Sequence, residues 1–340
     1  MNKLDAIVYI GRFQPFTNAH YKIVKMALET ATKVIIVIGS AKRARNIRNP
    51  WTAEERRDMI SSVKDFKDYD IEFILQPNSN YNFNWWLKDI QEQVSKITNK
   101  NDKIGIIGYK KDSSSYYLNY FPQWKFIDVP ELENGLSATE IRDLFFEKAK
   151  ITQSAVNADV YQWLLNWKKN NIELFNNLVS EKKFITDYKK KWENAPFQPI
   201  FVTTDTMVIC KGQILLIKRK YNPGKDLYAM PGGFLNPDEY LKDCAVRELK
   251  EETGIDVDKS ILKNSIELTK VFDEPYRETR GRGITHCFLI NLKLKELPKV
   301  KGSTDAYGAS WIPLGSLDSM QDRFFGDHYQ IIKNMLVQID

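Results

Sequence analysis

Residues 233–255 of this 340-residue chain read GFLNPDEYLKDCAVRELKEETGI. Three glutamates in this stretch, Glu248, Glu251 and Glu252, stand at positions i, i+3 and i+4. In an α-helix this spacing places the three carboxylates on one face. Clustered carboxylates without histidine or thiolate are typical ligands of hard cations such as Mg²⁺ and Mn²⁺. The stretch therefore predicts a helix that holds a divalent cation, which in turn can bind and polarise a diphosphate.

The same stretch resembles the signature of the Nudix hydrolases, Gx5Ex7REUxEExGU, at every fixed position. The matching residues are Gly233, Glu239, Arg247, Glu248, Leu249, Glu251, Glu252, Gly254 and Ile255. The resemblance implies that Glu248, Glu251 and Glu252 hold the metal ion. It also implies catalytic roles for Glu251 and Arg247, with Arg247 and Glu239 orienting the metal ligands.

Two alternatives remain open for this helix. It could be an exposed acidic helix that pairs with Lys242 or Lys250. It could also belong to a Nudix fold that senses NAD metabolites without catalysis. The glycines at both ends and Arg247 beside the cluster count against the first alternative, and the intact glutamates count against the second.

The second half of the chain has more strand patterns than helix patterns. Apolar runs predict strands at 201–210, 213–218, 266–272, 285–294 and 309–312, with helices at 239–253 and 328–337. The expected architecture is an α+β Nudix fold with a mixed sheet over residues 200–340.

The first half alternates short apolar runs with helical patterns. Buried strands are predicted at 6–10, 34–38, 71–75 and 104–107, with helices starting near Ala19, Ala53, Trp85 and Ala138. This order predicts a Rossmann-like, doubly wound parallel sheet over residues 1–180, closed by a helical stretch at 158–179. The lysine-rich segment 181–199 is predicted to be a linker with some helical content.

A second candidate site lies at residues 11–20, GRFQPFTNAH, directly after the first predicted strand. Open α/β sheets bind ligands at the carboxyl ends of their strands. The N-terminus of the following helix favours phosphate. Gly11 allows close approach to the backbone, while Arg12 and His20 supply charge-assisted donors.

This stretch resembles the GxFxPxHxGH motif of the HIGH superfamily of nucleotidylyltransferases. Their second motif, ISxTxxR, is matched by LSATEIR at 136–142, about 120 residues later. RNIRNPWT at 45–52 and GYKKD at 108–112 extend the similarity to archaeal-type nicotinamide mononucleotide (NMN) adenylyltransferases over roughly residues 4–150. The whole chain resembles the bacterial proteins that join such a domain to a Nudix hydrolase.

The resemblance to NMN adenylyltransferases implies that AMP is transferred from the substrate ATP to NMN, giving NAD⁺ and pyrophosphate. It also implies Mg²⁺ or Mn²⁺ at this nucleotide site, as at the glutamates of the Nudix signature. The residues implied to line the nucleotide site are Gly11, Arg12, Phe13, Thr17, His20, Asn84, Trp86, Gly108, Ser137, Thr139 and Arg142. Nicotinate mononucleotide, FMN and phosphopantetheine stay open as other acceptors.

Within this set, His20 and Arg142 are implied to be catalytic and to hold the ATP phosphates together with Ser137 and Thr139. Asn84 and Trp86 are implied to contact the nicotinamide ring, and Trp85 competes with Trp86 for that role. The sequence departs from the family motif at two positions, with Thr17 for a histidine and Ala19 for a glycine. Threonine can donate a hydrogen bond but carries no charge, so a slower transfer is expected.

The segment 272–282, FDEPYRETRGR, resembles a loop of the ADP-ribose pyrophosphatases linked to NAD metabolism. It implies hydrolysis of ADP-ribose to AMP and ribose 5-phosphate, although other nucleoside diphosphate derivatives stay open. Arg277, Arg280 and Arg282 either contact phosphates or form a solvated edge loop. His286 and His328 are expected to be structural.

Composition and charge narrow the class of protein. The chain is 43% hydrophobic and 28% charged, which is ordinary for globular domains. Its three cysteines have no paired spacing, and no apolar run reaches the roughly 20 residues that a membrane span needs. A cytoplasmic protein without a membrane partner is expected. Homo-oligomers stay possible.

The net charge of +6 lies entirely in residues 1–200, which carry 30 basic and 24 acidic residues, against 20 and 20 in the remainder. The excess is concentrated at 42–48. A site for small polyanionic substrates accounts for it, and no helix-turn-helix pattern accompanies it, so no nucleic-acid partner is expected.

Overall fold

A computed structural model describes residues 3–109, 113–130, 137–148, 153–302 and 306–338. Leu136 of the LSATEIR motif and residues 110–112 of the GYKKD motif therefore lie outside the described residues. The chain forms two compact units, Met1–Lys182 and Lys183–Asp340.

The first unit contains a parallel sheet with the strand order β3-β2-β1-β4-β5. Its strands are β1 (Leu4–Gly11), β2 (Ala31–Ala41), β3 (Asp70–Pro77), β4 (Ile104–Gly108) and β5 (Lys125–Asp128). The order reverses between β1 and β4, which opens a crevice at the carboxyl ends of these two strands. The predicted doubly wound parallel sheet is confirmed.

Helices connect and flank these strands. They are α1 (Asn18–Thr30), α2 (Ala53–Ser61), α3 (Phe83–Ile97), α4 (Ala138–Lys148), α5 (Ala158–Asn170) and α6 (Ile172–Lys190). The predicted helical stretch 158–179 is interrupted at Asn171, which caps α5 with non-helical dihedrals. Helix α6 then continues past Lys182, the last residue of the first unit, to Lys190, so its last turns belong to the second unit and to the first half of the segment expected to be a linker.

Strand β5 had no signal in the sequence. It is four residues long and none of its side chains is fully buried, so it lacks the apolar run that marked the other strands. It pairs with β4 at the edge of the sheet.

The second unit contains a mixed sheet with the strand order β10-β11-β6-β7-β12. Its strands are β6 (Ile200–Cys210), β7 (Gln213–Arg219), β8 (Tyr228–Ala229), β9 (Gly232–Phe234), β10 (Ile266–Phe272), β11 (Arg282–Leu292) and β12 (Ala306–Pro313). Strand β11 runs parallel to β6, whereas β10, β7 and β12 pair with their neighbours antiparallel. The predicted α+β fold is confirmed.

The glutamate-rich helix of this unit is α7 (Leu241–Thr253), followed by α8 (Lys259–Asn264) and, near the end of the chain, α9 (His328–Leu336). Val246 and Leu249 of α7 are fully buried in the core against β6 and β11 residues, so the glutamates lie on the opposite face. Gly254 ends α7 with φ +53°, a left-handed conformation that favours glycine. Helix α7 starts two residues after the predicted 239, because Glu239 belongs to the preceding turn.

Among the described residues, no helix is both long and apolar enough to cross a membrane.

Candidate active sites

Arg247 is the centre of the carboxylate cluster on α7. Its guanidinium donates two hydrogen bonds to Glu239, at 2.6 and 3.0 Å, and one each to Glu248 (2.7 Å) and Glu251 (3.1 Å). These bonds to Glu239 raise the pKa of Arg247 above its ordinary value and hold the pKa of Glu239 at about 2. The cluster is therefore ordered by one permanent positive charge.

Two of the three predicted metal ligands, Glu248 and Glu252, line a cavity of about 380 Å³. The backbone N–H of Gly232 donates to Glu252 at 2.8 Å. Burial raises the pKa of Glu252 to about 8 and also raises the pKa of Glu248. Both shifts have the same physical cause, namely that carboxylates are withdrawn from water without enough positive charge to compensate.

Gly233 is required by the position of Glu248. A β-carbon at Gly233 would lie 2.3 Å from Oε1 of Glu248, and one at Gly232 would lie 2.1 Å from the carbonyl oxygen of Thr204. Gly233 therefore lets strand β9 pass close to the carboxylate of Glu248 on α7, and Gly232 lets β9 approach β6 closely.

Glu251, the third predicted ligand, is the exception. Its side chain is exposed, it is held by Arg247, and it does not line the cavity. In the described parts of the chain, no group of three acidic, histidine or cysteine side chains is gathered closely enough to hold a metal ion as it stands. The donor chemistry nevertheless fits a hard cation, since Glu248 and Glu252 offer oxygen ligands in a cavity that lacks compensating charge.

A buried polar network forms another wall of the same cavity. Arg277 donates two hydrogen bonds to Asp327, at 3.0 and 3.1 Å, and lies 3.7 Å from a carboxylate oxygen of Asp205. His328 accepts the backbone N–H of Met230 at its Nδ1 atom, 3.1 Å away. His328 was expected to be structural; it lies in the wall of the cavity.

Sequence reasoning missed several residues of this cavity: Asp205, Arg219, Phe325 and Asp327. They come from β6, β7 and the turn before α9, far from the glutamate signature. The polar run at 203–206 inside an otherwise apolar strand was the signal in the sequence for Asp205.

In the first unit, His20 and Thr17 form the start of α1. The backbone N–H of Thr17 donates to Nδ1 of His20 at 2.9 Å, and Oγ1 of Thr17 accepts from the His20 backbone N–H. Because Nδ1 accepts, the proton of the neutral imidazole lies on Nε2. Burial lowers the pKa of His20 to about 4, so the ring is a neutral Nε2–H donor at neutral pH.

Arg142 connects the two sequence motifs of this unit. From α4 it donates to the carbonyl oxygen of Gln14 at 2.5 Å and to Oγ1 of Thr139 at 3.0 Å. Ser137 caps α4, since its Oγ accepts the backbone N–H of Glu140 at 3.2 Å. The structure thus brings the start of α4 to the loop between β1 and α1.

Several guanidinium groups crowd this loop. Burial, together with the charges of Arg12 and Arg48, lowers the pKa of Arg142 to about 10. Such mutual repulsion is typical of a site that is completed by an anion. In the same basic run, Arg45 is instead paired with Glu55.

Arg56 was not anticipated from the sequence. It is buried and donates to four carbonyl oxygens, those of Arg12, Gly39, Ser40 and Thr52. It thereby ties the ends of β1 and β2 to α2 and fixes the backbone around Arg12.

Gly11 and Phe13 have a joint role in the loop. A β-carbon at Gly11 would lie 2.7 Å from the ring of Phe13, which is itself buried. The space expected for a ligand above Gly11 is therefore occupied by the Phe13 ring. Phe13 adopts φ +51°, a conformation that non-glycine residues rarely take.

The remaining predicted contacts lie on α3 and β4. Asn84 is exposed in the first turn of α3, and Gly108 is buried at the end of β4. The ring of Trp86 packs against Phe83 and Tyr117, with centroids 5.7 and 5.9 Å apart. Trp85 is the more exposed of the two tryptophans, at 45%.

Each of the two units is similar to a different family of known proteins. A Cytidylyltransferase-like family model matches residues 8–144, and a NUDIX domain model matches residues 202–335. The chain is 37% identical to the nicotinamide/nicotinic acid mononucleotide adenylyltransferase of Acinetobacter baylyi. This match covers 51% of the chain and 91% of that protein. The chain is also 35% identical to the ADP-ribose pyrophosphatase of Methanocaldococcus jannaschii. This match covers 40% of the chain and 72% of that protein.

Solved structures of a protein from Francisella tularensis are similar over both units. One of them is a bifunctional NMN adenylyltransferase/ADP-ribose pyrophosphatase complexed with AMP and a manganese ion. Identity is 37%, the TM-score is 0.93, and the match covers 99% of this chain and 100% of that one.

The two folds and their sites define a nucleotidylyltransferase-type domain joined to a Nudix domain. The chain belongs to the family of bifunctional NMN adenylyltransferase/ADP-ribose pyrophosphatases.

Proposed function

We propose that this protein acts at two points of NAD metabolism. The first unit transfers AMP from ATP to NMN, giving NAD⁺ and pyrophosphate, and the second hydrolyses ADP-ribose to AMP and ribose 5-phosphate. We assign transfer to residues 1–180 and hydrolysis to 200–340, with 181–199 as the connecting segment. One observation carries the proposal. The chain contains both candidate sites and matches the bifunctional protein of Francisella tularensis over 99% of its length.

In the first unit, the protein's contribution is to position two nucleotides and to neutralise charge. Adenylyl transfer by direct attack of the NMN phosphate on the α-phosphorus of ATP needs no covalent intermediate. We assign His20 as a neutral donor through Nε2, and Arg12 and Arg142 as the charged donors to the triphosphate. Ser137 and Thr139 place the N-terminus of α4 beside the same phosphates.

Three further assignments complete this site. Gly11, Phe13 and Thr17 shape the loop that carries Arg12 and His20. Asn84 and Gly108 lie at the acceptor side, and Trp85, because it is exposed, is a better partner for the pyridine ring than the packed Trp86.

In the second unit, Glu248 and Glu252 would hold Mg²⁺ or Mn²⁺, with Glu251 joining them once it leaves Arg247. When bound, such an ion neutralises the diphosphate and lowers the pKa of a bound water. Arg247 keeps the carboxylates in register through Glu239. We infer a divalent cation at the transferase site as well, to shield the triphosphate charge.

A substrate panel on the intact chain tests the proposal. ATP with NMN or nicotinate mononucleotide, and separately ADP-ribose, are incubated with Mg²⁺ while NAD⁺, pyrophosphate and AMP are quantified. We expect pyrophosphate release with a mononucleotide acceptor and AMP release from ADP-ribose. A protein that binds ADP-ribose but forms none of these products would be a sensor, and the enzyme assignment would be withdrawn.

A further inference from the structure

The loop at 272–282 carries three arginines whose roles the structure separates. Arg282 donates to the carbonyl oxygen of Asp273 at 2.5 Å, away from the cavity of the second unit. Arg277 is buried and held by two hydrogen bonds to Asp327. Arg280 also lines the cavity, and its bonding differs from that of the other two.

The guanidinium of Arg280 lies near two aromatic rings. Its Cζ lies 5.0 Å from the ring centroid of Phe234 and 5.8 Å from that of Tyr188, within the range of cation–π interactions. Its Nη2 donates to Glu278 at 2.8 Å. Its Nε is buried and, among the atoms that the structure describes, has no hydrogen-bond partner. A buried N–H without an acceptor is costly, which indicates that a ligand oxygen completes it.

A second arginine of the cavity, Arg219, also stacks on an aromatic ring. The Cζ of Arg219 lies 4.1 Å from the ring centroid of Phe325, and its Nε donates to the carbonyl oxygen of Pro223 at 3.0 Å. Burial lowers the pKa of Arg219, and the charge of Arg280 lowers it further, while Glu252 opposes the shift. Arg219, Arg280 and Glu252, the carboxylate that we assign to the metal, all line the same cavity, so a ligand there meets both guanidiniums.

We propose that Arg219 and Arg280 form an anion clamp for the diphosphate of the hydrolysed substrate, and that Tyr188 is the positioning residue of Arg280. An anion between the two guanidiniums would relieve their repulsion and accept the free Nε–H of Arg280. This clamp rests on the proposed function, because it takes the diphosphate of ADP-ribose as its ligand.

Tyr188 extends the proposed hydrolase site beyond the NUDIX match. It belongs to the last turn of α6, in the segment expected to be a linker and before the first residue of the NUDIX match. Its ring packs against Phe201 at a centroid distance of 5.9 Å, and Phe201 packs against Phe234 at 5.8 Å. The hydrolase site therefore includes a residue from outside the NUDIX family match.

The test uses full-length variants and ADP-ribose hydrolysis with Mg²⁺. Arg280→Ala should raise KM by about 10–100-fold and change kcat less than about threefold, because a charge-assisted contact to bound substrate is lost. Arg280→Lys should recover part of that loss. Tyr188→Ala should raise KM by about 3–10-fold, while Tyr188→Phe, which keeps the ring, should match the wild type. Phe197→Ala is the control, since Phe197 lies in the same segment and is 85% exposed.

A binding measurement separates failure of the clamp from failure of the proposed function. The Kd of ADP-ribose is measured on Glu252→Gln and on the Glu252→Gln/Arg280→Ala double variant. Weaker binding in the double variant supports the clamp even if the wild type releases no AMP. If the wild type hydrolyses ADP-ribose while KM and Kd are unaffected by Arg280→Ala, or if that variant only lowers kcat and thermal stability, the clamp is wrong. If ADP-ribose does not bind, both proposals fall.

Discussion

The backbone N–H of Thr17 donates to Nδ1 of His20 across 2.9 Å, and the hydroxyl of Thr17 accepts the N–H of His20 in return. This reciprocal pair is a capping box, in which His20 occupies the position usually filled by glutamate or glutamine. The residue that replaces the family's histidine is thus the cap that orients the second histidine. Its effect on the reaction is expected to act through His20.

Thr17→Ala should lower the free energy of unfolding by about 1 kcal/mol, because the cap is lost. It should also slow NAD⁺ formation, since Nε2 of His20 is no longer held in one direction. Thr17→Ser, which keeps the hydroxyl, is the matched control. Urea denaturation and the rate of NAD⁺ formation provide the two measurements. Equal rates in the alanine and serine variants would show that the cap does not orient His20 for the reaction.

The buried imidazole predicts a pH dependence of stability. The pKa of His20 is about 4 in the folded protein and about 6.5 in an unfolded chain, so the unfolded chain binds more protons between these values. The first unit should therefore lose stability as the pH falls from about 6.5 to 4. His20→Gln keeps a side chain suited to the capping box, and its stability should change less over this window. NMR titration of His20 checks the cause, and a midpoint near 6.5 would contradict it.

Glu252→Gln should reduce AMP release from ADP-ribose by roughly 10²–10³-fold, since a carboxyl group that loses its proton when it binds the cation is replaced by an amide that cannot be ionised. NAD⁺ formation should be unchanged, because the first unit has its own site. Asp243→Asn is the control on the same helix, since Asp243 pairs with Lys263 and does not line the cavity. Loss of both activities in a folded Glu252→Gln protein would show that the two sites are coupled.

Gly233→Ala should reduce hydrolysis by about 10–100-fold, the usual range for disturbing a residue that orients metal ligands. The added β-carbon would lie 2.3 Å from Oε1 of Glu248, so that carboxylate has to move. Gly315→Ala is the control, because a β-carbon there meets nothing within 4 Å. Hydrolysis is compared at saturating Mg²⁺ together with the melting temperature of each variant. Wild-type activity in Gly233→Ala would mean that Glu248 has another productive position.

Local signals predicted most of the fold. Apolar runs predicted strands β1 to β4 of the first sheet, and a 3.6-residue period predicted helix α7. Strands β5, β8 and β9 were not predicted, because they have two to four residues and take their stability from pairing with longer strands. The interruption at Asn171 was also missed, since helical patterns continue on both sides of it.

The sequence by itself determined the two chemistries of this protein. Helical spacing places Glu248, Glu251 and Glu252 on one face, and a glycine-containing turn before a helix predicts a phosphate site at 11–20. Such local geometry is fixed by backbone hydrogen bonds within a few residues.

Only the tertiary structure decided which of these side chains meet. It placed Glu252 in the cavity and Glu251 on Arg247, exposed Trp85 rather than Trp86, and brought Tyr188 to Arg280 from 92 residues away. These choices depend on packing between segments distant in the chain, because neighbouring glutamates or tryptophans have the same chemistry until burial distinguishes them.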